Sequence, residues 1–141
     1  MRLWSLLLVL LVSTSFIACR TKAHKSIDQT VFINKESSIA QGEKITVGNI
    51  EGYLEAVTLL KGSLINALGA RYSALPDSSE YSINGTIFAK KAARKRLYVY
   101  YSMNLRVIDK NGDIVATVSI QDPVFQTDLD KFSRKVVNSI K

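Results

Sequence analysis

The sequence predicts an α+β domain of two layers, an antiparallel sheet of four to five strands with two helices packed on one face. Three observations carry this. Unbroken two-residue alternation runs through "RLYVYYSMNLRVID", the period of a half-buried strand. An apolar stripe at three- and four-residue steps begins at Leu54, the period of an amphipathic helix. An Asn111-Gly112 pair stands between two alternating runs, where a hairpin turn belongs.

Taken in order, "TVFIN" (Thr30 to Asn34) and "KITVGNI" (Lys44 to Ile50) are short β-branched runs separated by a polar loop, and both read as strands. From Glu51 the period changes. Leu54, Val57, Leu60, Leu64, Ile65 and Leu68 form one stripe, and Gly69 is positioned to stop the helix. Gly62 within it either weakens the helix by about 1 kcal/mol relative to alanine or lets it pack closely on the sheet.

After "ALPDSSE" the period becomes two. Tyr81, Ile83, Gly85 and Ile87 share one face of a strand, and Leu97, Val99, Tyr101, Met103, Leu105 and Val107 share one face of the next. Asn111-Gly112 suits a type I′ turn, whose two central residues both need positive φ. The following strand turns Ile114, Ala116, Val118 and Ile120 to one side, and Pro123 closes it because proline removes a ladder donor. Leu129, Phe132, Val136 and Ile140 then lie at helical spacing. Asp128 and Asp130 at its start and Lys135 and Lys141 at its end suit the helix dipole.

The N-terminus reads as an address. Arg2 precedes an apolar run from Leu3 to Val12, which suits a secretory signal and is too short for a membrane span of about 20 residues. Phe16-Ile17-Ala18-Cys19 resembles the bacterial lipobox, with Phe16 in place of the usual leucine. The resemblance implies removal of residues 1–18 and lipidation of Cys19 on its sulfur and its new amino group. A lone cysteine has no internal disulfide partner, and several acyl chains make an anchor effectively permanent. Arg20 follows, rather than the aspartate that favours inner-membrane retention in enterobacterial lipoproteins, and this likeness implies an outer-membrane, periplasm-facing location. Residues 19–29 are polar and aperiodic and read as a lipidated tether reaching under roughly 20 Å. Residues 30–141 then make one domain, a length that suits one core and not two.

The chain carries 19 Lys and Arg against 12 Asp and Glu, and the excess is concentrated. "AKKAARKR" puts Lys90, Lys91, Arg94, Lys95 and Arg96 at one hairpin tip, a site for an acidic protein surface, anionic lipid or lipopolysaccharide, or a solvated loop that resists aggregation. Nucleic acid is not expected to meet an exported protein. Tyr98 and Tyr100 alternate with the core-facing set, so they are expected on the outer face, with Phe88 and Val115 beside them, as a protein contact.

Catalysis is not expected, and neither is a cofactor or metal. His24 is the single histidine and falls in the tether, which leaves the domain no histidine base and no cysteine nucleophile. Asp109 and Asp113 flank a tight turn and suit turn formation better than paired-carboxylate chemistry. Gly48, Gly52, Gly62 and Gly69 form no phosphate cradle, and "NGT" at Asn84 is a glycosylation sequon by pattern only.

The run "YSINGTI … YVYYSMNLRVIDKNGDIVATVS" is similar to a recurring lipoprotein pattern carried by Tyr81, Ile83, Gly85, Asp109 and Gly112. It resembles penicillin-binding-protein activator lipoproteins, the curli-secretion lipoprotein and the lipopolysaccharide-assembly lipoprotein. The resemblance implies a non-catalytic accessory or assembly factor that binds a protein partner in the cell envelope. The alternative is a lipid- or lipopolysaccharide-binding module acting through its basic tip.

Overall fold

The computed structural model describes residues 26–141; the signal segment, Cys19 and His24 lie outside the described residues. A single helical turn, α1 (Ile27–Thr30), leads into β1 (Val31–Lys35). Then follow β2 (Ile45–Glu51), α2 (Leu54–Leu68), β3 (Tyr81–Lys91), β4 (Tyr98–Asp109), β5 (Ile114–Ile120), the short β6 (Val124–Phe125) and α3 (Leu129–Ser139). The two long helices cover one face of the sheet, which is the two-layer α+β arrangement.

The sheet order is β1-β5-β4-β3-β2, with β6 paired to the first residues of β4. All pairs are antiparallel except β2 with β3, which is parallel, so the sheet is mixed rather than purely antiparallel. A parallel pair needs a long crossover, and α2 with its trailing turns supplies it. The core joins Val57, Leu60, Leu64 and Leu68 of α2 and Phe132 and Val136 of α3 to Ile83, Met103, Leu105, Val107 and Val118 of the sheet. Leu54 departs from the expected stripe: at the open first position of α2 it is 78 % exposed.

Three local corrections follow from backbone chemistry. The domain begins before the expected end of the tether at residue 29. Thr30 is buried, Ile27 packs against the core, and the Lys135 Nζ donates to the Asp28 carboxylate at 2.9 Å. The 109–113 turn is not type I′. Gly112 has φ +88° but Asn111 does not have positive φ. The Gly112 N–H donates to the Asp109 carbonyl and the Asp109 N–H to the Asp113 carbonyl, the pattern of a three-residue loop with a left-handed glycine. The Asp109 carboxylate accepts from the backbone N–H of Asn111 at 2.8 Å and of Asp113 at 3.0 Å, so this carboxylate builds the turn.

The third correction is a bulge. Phe88 pairs with Ser102 but Ala89 pairs with Tyr100, which leaves Tyr101 without a partner on β3. One inserted residue reverses which side chains face the core beyond it. Tyr101 is therefore exposed, while Tyr100 and Tyr98 turn under the helices.

Candidate interaction surface

Tyr98 and Tyr100, expected on the outer face, are buried on the helix side. Tyr100 is fully buried and its hydroxyl donates to the Ala56 carbonyl of α2 at 2.7 Å. Burial pushes its phenol up to about 12. The Tyr98 hydroxyl donates to the Glu55 carboxylate and its ring lies 5.7 Å from that of Tyr53. Desolvation first, and the hydrogen bond to Glu55 second, raise its phenol further still. These tyrosines fasten the start of α2 to the sheet. Val115, expected beside them, is likewise buried, whereas Phe88 is outward and exposed.

The aromatic pair that does reach solvent is Phe88 and Tyr101. Their ring centroids are 6.2 Å apart, and the Lys90 ammonium stands 5.4 Å above the Phe88 ring. Beside them a groove of about 340 Å³ is lined by Ala92, Lys95, Leu97, Val99, Phe125 and Thr127. Sequence reasoning missed Tyr101 and Phe125. The bulge that exposes Tyr101 left no periodic signal, since the apolar alternation runs straight through it.

The basic tip itself has an ordered frame. The Ala92 N–H donates to the Leu97 carbonyl at 2.7 Å and the Arg96 N–H to the Ala92 carbonyl at 3.2 Å. Arg96 takes φ +53° to close the loop. Lys91 leans over Tyr98 at 5.6 Å from its centroid and lies 3.8 Å from Glu55. Among the described residues Arg94, Lys95 and Arg96 make no ion pair and are exposed. The structure thus brings Lys90, Lys91, Arg94, Lys95 and Arg96 together at one end and separates them from buried Tyr98 and Tyr100.

Among the described residues no cluster of His, Cys, Asp and Glu could hold a metal ion, and no helix is long and apolar enough to cross a membrane. Asn84 has a structural task instead. Its side-chain oxygen accepts from the Asn49 N–H at 2.8 Å where the β2 register shifts.

No protein-family model matches the sequence, and no curated protein matches it. Solved structures do. A PelC dodecamer from Paraburkholderia phytofirmans is similar with a TM-score of 0.62 at 18% identity, over 79% of this chain and 96% of that one. A point variant of that dodecamer in another crystal form is similar with a TM-score of 0.58 at 18% identity, over 79% of this chain and 95% of the other. At this identity the likeness establishes the fold.

Proposed function

We propose that this chain is a non-catalytic, lipid-anchored assembly protein of the bacterial cell envelope whose first protein partner is further copies of itself. The observation that carries the reading is that the domain shares nearly the whole fold of chains that assemble as dodecamers. Two features support it. The sheet is open at both sides, with β1 at one edge and β2 at the other, and open edges favour pairing with another chain. The lipobox-like Cys19 would gather copies on one membrane, where confinement raises their effective concentration.

The proposed anchor places the domain on the periplasmic side of the outer membrane, in keeping with Arg20 after the acylated cysteine. Mass measurement of native complexes extracted in mild detergent tests the assembly: a species of many copies is expected. A monomer persisting at tens of micromolar, roughly where weak interfaces already populate, would overturn it. Intact mass of the purified chain tests the anchor separately, through the acyl mass on Cys19.

A further inference from the structure

The first described residues and the basic hairpin lie at the same end of the sheet. β1 runs antiparallel to β5, with Val31 opposite Ile120, and β5 runs antiparallel to β4. The first residue of β1 therefore lies toward the same end as the first residue of β4, which is where the 92–97 loop ends. The Gln121 N–H, donating to the Thr30 carbonyl at 2.9 Å, marks the level at which the chain enters the domain. The Asn111-Gly112 turn is at the opposite end.

Apolar side chains are exposed at this same end. Phe88, Tyr101 and Phe125 are 52%, 49% and 40% exposed, and Tyr53 and Leu54 at the start of α2 are 61% and 78% exposed. At the other end two lysines have local partners. Lys110 pairs with Glu80 at 2.7 Å and Lys44 donates to the Ala70 carbonyl at 2.6 Å. Aromatic rings behind Arg94, Lys95 and Arg96, which make no ion pair among the described residues, suit the interfacial zone of a bilayer, where rings enter the headgroup layer and cations meet lipid phosphates.

We propose that the domain docks hairpin-first on anionic lipid headgroups of the bilayer that carries its own anchor, with Lys90, Arg94, Lys95 and Arg96 on phosphates and Phe88, Tyr101 and Phe125 in the headgroup layer. Chain length agrees with this orientation. Cys19 and Ser26 are seven chain steps apart, a span of at most about 25 Å fully extended. Asn104 lies opposite Ser119, two residues short of the Gln121 that marks chain entry, so at about 3.3 Å per residue some four steps from that level to Tyr98 carry the tip roughly 13 Å toward the anchored side. An anchor that short holds the tip within reach of the surface. Glu55, the acid that contacts the tip through Lys91, is also held by Tyr98.

The orientation rests on the lipid-anchored reading, and one labelling experiment separates the two. Ala93→Cys at the tip and Asn111→Cys at the far end each carry an environment-sensitive fluorophore. The full chain is reconstituted in vesicles of phosphatidylcholine alone or with phosphatidylglycerol added. On anionic vesicles the label at 93 should shift to the blue and be quenched by lipid-borne spin labels, while the label at 111 stays water-like. The combined Arg94→Gln, Lys95→Gln, Arg96→Gln variant should lose about a hundredfold in docking, since each cation near an anionic surface contributes about fivefold.

A water-like signal at 93 on anionic vesicles, equal signals at 93 and 111, or indifference to phosphatidylglycerol would overturn the docking. Protection of position 93 in intact cells but not on vesicles would assign this end to a protein instead. A chain with no acyl mass on Cys19 would remove the anchor alone. In that case Cys19→Ser keeps the label unique, and the same comparison with added vesicles still decides the docking.

Discussion

Tyr100 shows how one side chain couples sheet and helix. Its hydroxyl donates to the Ala56 carbonyl inside the core, so Tyr100→Phe should cost about 1–2 kcal/mol in chemical denaturation. The same burial makes stability sensitive to base. The ordinary tyrosine value is 10.0 and the folded one is about 12, so folding favours the neutral phenol. That contribution is complete below the unfolded value and is lost as pH rises toward about 12. Denaturation midpoints followed through this window should fall for the native chain and fall less for Tyr100→Phe. Arg96 is the converse case. A left-handed arginine is strained by about 1 kcal/mol, so Arg96→Gly should raise thermal stability by about 0.5–1 kcal/mol. The same substitution should weaken docking on anionic vesicles about fivefold. Gain of stability with loss of binding would mark the charge as kept for contact.

Among the elements, α2 carries a weakness that nothing in the packing requires. A Cβ added at Gly62 meets no atom within 4 Å, so close helix–sheet approach is not its purpose. Gly62→Ala should stabilise the domain by about 0.5–1 kcal/mol, read as a higher melting midpoint. Gly85 in β3 is the opposite. A Cβ there would meet the Asn104 carbonyl and come within 2.9 Å of the Leu105 Cα, and backbone cannot yield as a side-chain tip can. Gly85→Ala should cost about 3 kcal/mol or more, and the expressed variant should show a much lower denaturant midpoint. Near the start of β4 the bulge explains why alternation misdirected the reading of Tyr98 and Tyr100. Their neighbours are apolar on both sides, so a one-residue insertion changes the facing without changing the pattern.

At the scale of the molecule, both long helices begin at the hairpin end, since Glu55 reaches Tyr98 and Phe125 pairs with Val99 just before α3. Their positive dipole ends add to the basic tip, giving the domain an electrically distinct end on the side where its first described residues enter. The layering also ranks local stability. β4 is central, with β3, β5 and β6 on its flanks, whereas β1 is a short edge. Amide exchange should be slowest at Met103, Leu105 and Val107 and fast in β1 of a monomer. If β1 joins a neighbouring copy, its protection should rise on assembly, which makes exchange a residue-level readout of the proposed oligomer.

Element types and most of the core were legible because periodicity records which side of a segment is buried: Leu60, Leu64, Phe132, Val136, Met103 and Leu105 all follow it. The basic tip was legible as composition, five cations in seven residues between two strands. What tertiary structure alone decided is whatever depends on register and direction. It set the parallel pairing of β2, the bulge that exchanged Tyr101 for Tyr100, and the arrival of the first described residues and the hairpin at one end. Register and strand direction are set by contacts between residues far apart in the chain, and no local window of sequence contains them.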